Sequence, residues 1–301
     1  VEQSVQDTQH TQLLATRIED QIRSSENDEL SAAIARRENL QENHVAPGDH
    51  ALISTLSHNL YHGDCLSFLQ PSAECVLRNS ITTIFADPPD NIGAKYGEYI
   101  DKIPDKEYAY LLHLWLLVFV RRAKTVWFSY NARWTFEVGC IVSRMLSKVQ
   151  LEAKQCVQTF TFGQHNHHDL GNNYRPLLRL RHKDSPLLPN AIRVPSWRQE
   201  NGDKRADPRG RVPGDVFDFP RVTGNSKQRR AWHPTQLNEG LVERCIRLTT
   251  PEGGTVLDPF GGTGTTLRVC KRIGRACTLV ELDRGYCERI AEEHGLQILE
   301  I

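Results

Sequence analysis

Two short stretches hold residues whose types and spacing could do chemistry. One reads Asp87-Pro88-Pro89-Asp90. Two prolines directly after an acid fix an extended, rigid backbone, so the Asp87 carboxylate and the Pro88 carbonyl are expected to point outward from the end of a strand. The other runs from Thr255 to Thr266 as Thr-Val-Leu-Asp-Pro-Phe-Gly-Gly-Thr-Gly-Thr-Thr. It combines a β-rich run, a stop at Asp258-Pro259, and glycines that let a ligand approach the backbone before a helix starts near Thr265. A phosphate-binding loop needs Lys and then Ser or Thr after its last glycine, and a dinucleotide fingerprint needs glycine at the third position of GxGxxG. Gly262 and Gly264 are followed by Thr265, Thr266 and Leu267, so neither fits. A glycine turn with no lysine and a leading Asp suits an adenosine head with a cationic or zwitterionic tail, because a carboxylate attracts positive charge and repels phosphate. S-adenosylmethionine is such a ligand. An acid about 20 positions beyond the glycines, at the end of the next strand, is where a ribose diol is usually held, which makes Glu281 the candidate for that role.

These residues need a scaffold, and the chain supplies one. The β-branched run Ile81-Thr82-Thr83-Ile84-Phe85-Ala86 is suited to a buried strand ending at Asp87, and in open α/β sheets ligands bind outside the carboxyl ends of the strands. A short strand at 59–62 turns on Gly63-Asp64 into a helical stretch. Asp64 there can cap the helix. A helix is expected from Pro104-Asp105 to about Ala123. Its apolar residues (Leu111, Leu114, Trp115, Val118, Phe119) cover nearly its whole circumference, so it should be packed between layers as core. A strand at 124–130 and a helix at 132–147 complete a βαβ unit. Further helices are expected at 237–248 and 284–293. The sum is a doubly wound, mostly parallel, Rossmann-like α/β sheet.

The composition is that of an ordinary soluble protein, with a hydrophobic fraction of 39% and a charged fraction of 25%. The 8 cysteines include no Cys-x-x-Cys pair and no zinc spacing, so reduced thiols in an intracellular protein are expected. His165, His167 and His168 with Asp169 lack a second ligand cluster, and no metal is expected. No signal peptide is visible, and the longest apolar run, near Leu111 to Val120, is too short to span a bilayer. Net charge is 0, yet residues 1–50 are acidic and residues 171–235 are basic, which gives the chain a segment able to meet a polyanion. Residues 1–45 read as two amphipathic helices, with Leu13, Leu14, Ile18 and Ile22 in the first and Leu30, Ala33, Ile34 and Leu40 in the second, so 1–50 is expected to be a packing or oligomerising extension or a partly disordered tail.

In their order along the chain, Asp87-Pro88-Pro89, then His233-Pro234-Thr235-Gln236, then the Asp-Pro-Phe-Gly-Gly-Thr-Gly-Thr-Thr run from Asp258 resemble the permuted (β-class) DNA amino-methyltransferases, over roughly residues 58–295. The resemblance implies a circularly permuted motif order with a catalytic half at 51–150, a target-recognition insertion at 157–232 and a cofactor half at 233–301, all within a domain at 51–301 behind the 1–50 extension. It implies S-adenosylmethionine as cofactor, held by Asp64 near its adenine, by Thr235 at its methionine carboxylate, and by Asp258, Phe260, Gly262, Gly264 and Glu281. Asp87 and the Pro88 carbonyl, with Pro89 and Asp90 completing the motif, would accept hydrogen bonds from an exocyclic amino group and aim its lone pair at the sulfonium methyl. His233 is a possible but unnecessary base. The implied substrate is DNA, either a duplex with a flipped base or a single strand. Adenine is favoured by the leading Asp, cytosine N4 is the runner-up, and an inactive nucleic-acid-binding relic is the competitor from another class. No membrane partner is expected, and a homodimer is conceivable.

One letter departs from the family. The fourth motif position usually carries an aromatic ring that stacks on the target base, and here it is Asp90. Substitute rings are expected at Tyr96 or at Trp127, Phe128 or Tyr130; alternatively Asp90 itself accepts from the base or caps a turn. The recognition stretch would contribute Arg193, Arg198, Lys204, Arg205, Arg209, Arg211, Lys227, Arg229 and Arg230 to phosphates or guanine edges, a solvated basic face being the alternative.

Overall fold

The structure, a computed structural model, describes residues 56–69, 81–97, 99–147, 150–161 and 166–301. The expected helices within 1–50, and His165, lie outside the described residues. The strands are β1 (His58–His62), β2 (Ile81–Ala86), β3 (Lys95–Tyr96), β4 (Tyr99–Ile100), β5 (Thr125–Ser129), β6 (Leu151–Thr159), β7 (Tyr174–His182), β8 (Val216–Asp218), β9 (Thr255–Asp258), β10 (Ala276–Glu281) and β11 (Ile298–Glu300). Nine of them form one sheet in the order β11-β1-β10-β9-β2-β5-β7-β6-β8, while β3 and β4 pair as a separate hairpin. From β11 to β5 every pairing is parallel. β7 alone runs against both of its neighbours, and β8 is parallel to β6. The mostly parallel α/β expectation is therefore met.

The described helices are α1 (Cys65–Phe68), α2 (Asp105–Arg122), α3 (Thr135–Leu146), α4 (Trp197–Glu200), α5 (Glu239–Thr249), α6 (Thr265–Ile273) and α7 (Arg284–His294). α5, α6 and α7 lay Leu241, Val242, Ile246, Leu267, Cys270, Ile273, Cys287 and Ile290 against Leu60, Phe85, Trp127, Val256 and Leu279 of the sheet. Strands covered in this way read as near-continuous apolar runs rather than alternating ones. α2 buries Leu112, Trp115, Leu116 and Phe119, so its aromatics are core, as its all-round apolar pattern predicts. Among the described cysteines only Cys140 is exposed, and all are free. No described helix is long and apolar enough to cross a membrane.

Two expectations about elements need correction. The expected boundary at 157 falls inside β6, whose ladder with β7 runs from Leu151 opposite His182 to Thr159 opposite Tyr174. Leu177, Leu178 and Leu180 of β7 are buried, but in the sequence Arg175, Arg179 and Arg181 interrupt them and give the segment its basic look. The helix expected at 237–248 also starts two residues later than its letters suggest. α5 begins at Glu239, and Asn238 is its cap, accepting a hydrogen bond from the Gly240 N–H.

Candidate active site

The turns that carry the chemistry leave the carboxyl ends of neighbouring parallel strands. Ile84 of β2 lies opposite Leu257 of β9, and Leu279 of β10 lies opposite Asp258. The Asp87 loop and the glycine turn therefore emerge side by side, and Glu281 follows on the next strand. The Gly63 N–H donates to the Glu281 carbonyl (2.9 Å), which brings the Gly63-Asp64 turn to the same edge.

At the glycine turn, Asp258 Oδ1 accepts from the Phe260 N–H (2.9 Å). Glu281 Oε2 accepts from the Gly262 N–H (2.6 Å) and Oε1 from the Asp283 N–H (2.8 Å). Burial pushes both carboxyls up to about 7, against the pull of these hydrogen bonds. Two buried acids with no basic side chain among their hydrogen-bond partners fit a ligand that brings positive charge. Gly262 and Gly264 hold φ of 51° and 72°, the left-handed region that suits glycine, and a Cβ on Gly262 would sit 3.4 Å from His233 Nε2. Gly264 caps α6 without a side-chain hydrogen bond. This set of groups fits an adenosylated, positively charged cofactor. Phe260 packs edge-on against Trp115 (5.2 Å between ring centroids).

His233 is buried against Tyr286 (4.7 Å) and Tyr96 (5.5 Å). Burial pulls its imidazole down to about 4, so the ring is neutral near pH 7. Thr235 is exposed and hydrogen-bonds the Tyr96 hydroxyl. Asp64 accepts from the N–H groups of Leu66 and Ser67, both at 2.9 Å, so its side chain caps α1 at the edge of the site.

At the Asp87 loop the structure brings in a residue that sequence reasoning missed. Arg175, at the start of β7, donates from Nη2 to Asp87 Oδ1 (2.7 Å) and to Asp90 Oδ1 (2.9 Å), from Nη1 to Asp90 Oδ2 (2.8 Å), and from Nε to Ser129 Oγ (2.6 Å). Ser129 in turn hydrogen-bonds Asp87. The loop backbone is braced from beneath, with the Tyr108 hydroxyl donating to the Pro89 carbonyl and Trp134 Nε1 to the Asp90 carbonyl (3.0 Å). The Pro88 carbonyl takes no hydrogen bond from a described residue. Asn91 follows at φ 59°, its amide donating to the Ile103 carbonyl (3.0 Å) and accepting from the Ile103 N–H (2.8 Å). An unexpected acid in the motif was the available signal that a cation lay nearby. Nothing in the spacing said that it would be an arginine on β7.

The expected substitute rings do not survive as a group. Trp127, Phe128 and Tyr130 are at most 1% exposed, because β5 is sandwiched in the sheet, and they cannot stack on a base. Tyr96 remains, partly exposed on the β3–β4 hairpin.

The basic residues divide into two groups. Arg205 pairs with Asp203 (2.9 Å), Arg209 with Asp207 (3.0 Å), Arg193 with Asp207 (3.6 Å) and Arg230 with Glu293 (2.7 Å), so these four charges are already engaged inside the chain. Arg198, Lys204, Arg211 and Lys227 are exposed and make no ion pair among the described residues. Arg229 lines an open cleft of about 500 Å³ with Lys95, Trp232, His233 and Tyr286. His167, His168 and Asp169 form no metal-binding group among the described residues.

Comparisons with known proteins bear on this site. The sequence model of the N6/N4 methylases, described as DNA methylase, matches residues 81–293. The "DNA adenine methyltransferase YhdJ" of Escherichia coli is 28% identical over 251 residues, covering 75% of this chain and 79% of that protein. Among solved structures, one described as the M1.HpyAVI–SAM complex superposes with a TM-score of 0.55 at 18% identity, covering 79% of this chain and 99% of that one. The PvuII DNA methyltransferase, described as cytosine-N4-specific, gives 0.57 at 17% identity, covering 79% and 87%. At such identities the structural likeness speaks to the fold.

Proposed function

From the premise that this chain belongs to the N6/N4 DNA methylase family, we propose that it transfers the methyl group of S-adenosylmethionine to the exocyclic N6 amino group of adenine in DNA. The observation that carries this reading is the emergence of the Asp87 loop and the Gly262 turn side by side from adjacent parallel strands. The cofactor supplies an electrophilic methyl on a sulfonium. Asp258 and Glu281 stand at the glycine turn with charge to match a cation, and Glu281 is the acid positioned for a ribose diol.

The amino nitrogen of adenine is delocalised into its ring and is a poor nucleophile. Asp87 and the Pro88 carbonyl accept its two hydrogens, favour a more tetrahedral nitrogen and localise the lone pair. Fixing that nitrogen in line with the methyl supplies much of the rate. The nitrogen–methyl bond forms as the sulfur–methyl bond breaks, its electron pair stays on sulfur, and the surplus amine proton leaves to solvent. His233, neutral and buried, is not required as a base. In a duplex the target must be flipped out, at a cost of a few kcal/mol. The exposed cations Arg198, Lys204, Arg211 and Lys227, with Arg229, form the recognition face, and the homologue named for adenine supports N6.

The test is transfer of label from tritiated S-adenosylmethionine to unmethylated genomic DNA, duplex and heat-denatured, by native protein and Asp87→Ala, followed by digestion to nucleosides and mass analysis. N6-methyladenine that disappears with Asp87→Ala supports the reading. N4-methylcytosine would move the target to cytosine, and cofactor binding without any transfer would make the chain a relic.

A further inference from the structure

An acid at the fourth motif position looks, in isolation, like a lost aromatic ring. The geometry shows a built replacement. Arg175 and Asp90 meet as a two-bond fork, at 2.8 and 2.9 Å, and the same Nη2 reaches Asp87 Oδ1 at 2.7 Å. Arg175 Nε donates to Ser129 Oγ at 2.6 Å, so four side chains from β2's loop, β5 and β7 are tied into one hydrogen-bonded cluster. The side chain of Asp87 is 27% exposed, against 19% for Arg175 and 13% for Asp90. Asp87 is the most exposed of the three.

We infer that Asp90 and Arg175 act as a matched positioning pair: Arg175 fixes the Asp87 carboxylate and keeps it ionised as an acceptor, and Asp90 anchors the guanidinium in place. This rests on the proposed amino-methylation, with Asp87 as the residue that grips the amine. The charge argument is direct. Two carboxylates and one guanidinium leave the cluster at −1, a sign that favours an amine donor and a neighbouring sulfonium. Arg175 with Asp87 alone would sum to zero and weaken the acceptor. Two carboxylates without Arg175 would repel, and one would take up a proton. Lysine cannot replace Arg175, since a point charge on a flexible stem does not hold four acceptor atoms on three side chains in a fixed fork. The pair therefore has to change together: either an aromatic ring with no arginine, or Asp90 with Arg175.

The experiment compares Arg175→Met, Arg175→Lys, Asp90→Phe and the double variant Asp90→Phe/Arg175→Met, each measured for turnover on unmethylated genomic DNA, for the pH profile of turnover, and for S-adenosylmethionine affinity by calorimetry. Arg175 makes no hydrogen bond to the glycine turn, so cofactor affinity is expected to stay at the native value, which also reports a folded protein. Each single variant is expected to lose turnover by about 100-fold, the scale of a misplaced reacting group. In Arg175→Met the acid limb of the pH profile should move to higher pH, a change that loss of packing alone would not produce. The double variant should recover at least tenfold over either single one. Native turnover and an unshifted pH profile in Arg175→Met would overturn the inference, as would a double variant no better than the product of the single losses. If native protein labels DNA and Asp87→Ala does not, a null result at Arg175 sinks this inference alone. If native protein labels no DNA, the functional reading fails first.

Discussion

Asp258 and Glu281 are acids whose burial, rather than their partners, sets their behaviour. Both carboxyls ionise near 7 in the folded chain, where ordinary aspartate and glutamate ionise at 3.8 and 4.5. A cationic ligand needs them ionised, so affinity for S-adenosylmethionine is expected to weaken below about pH 7, by up to roughly tenfold per pH unit for each carboxyl; calorimetry between pH 5.5 and 8.5 checks this. The same shift bears on stability. A carboxyl whose folded pKa is raised holds its proton more tightly in the folded state, so stability is present at low pH and declines as pH rises from about 4 to about 7. Asp258→Asn keeps an acceptor for the Phe260 N–H and removes the buried charge. Its thermal midpoint at pH 8 should rise, while its cofactor affinity falls at least tenfold. A midpoint below that of the native protein would show that the charge is compensated by something else.

At the scale of elements, the Asp87 loop is held by side chains from α2 and from the turn that leads into α3. Trp134 Nε1 donates to the Asp90 carbonyl, and the Tyr108 hydroxyl to the Pro89 carbonyl. Trp134→Phe deletes one donor and preserves most of the ring, so a denaturant melt should show a loss of about 1 kcal/mol, with turnover falling and cofactor affinity unchanged. The motif letters Asp87 to Pro89 could be read from the sequence because proline restricts the chain by itself. The braces could not, because nothing in the spacing of Tyr108 or Trp134 ties either ring to the loop. Both rings are core, each with one polar atom pointed at the loop. Likewise the glycine turn announced itself by Gly262 and Gly264, whereas the helix expected from 237 starts at Glu239, because Asn238 caps it.

Across the whole molecule, net charge 0 conceals a separation of charge that matters for DNA. The structure narrows the nine expected contacts by showing that four of them are paired within the chain. Of the rest, Arg198, Lys204, Arg211 and Lys227 are exposed and make no ion pair among the described residues. Phosphate contacts release counterions, so the plot of log affinity against log salt steepens with each one. The triple variant Arg198→Ala/Lys204→Ala/Arg211→Ala should flatten that slope by about 2 to 3, whereas Arg205→Ala/Arg209→Ala should change it by less than about 1; filter binding between 50 and 200 mM salt distinguishes them. Equal effects would return the paired arginines to the interface.

Local chemistry was enough to read several things from the letters alone. Proline and glycine constrain their own backbone, β-branched runs make buried strands, and an acid after the next strand lies a fixed distance beyond a glycine turn. The parallel sheet, the two loops and their order along the chain follow from that. What only the tertiary structure decided are the meetings across the sheet. Arg175 reaches residues more than 80 positions earlier because β7 runs antiparallel beside β5, and Trp127, Phe128 and Tyr130 are withdrawn from any base by the layers that cover them. Strand order and burial depend on which surfaces pack together, and neither is written in the spacing of any one segment.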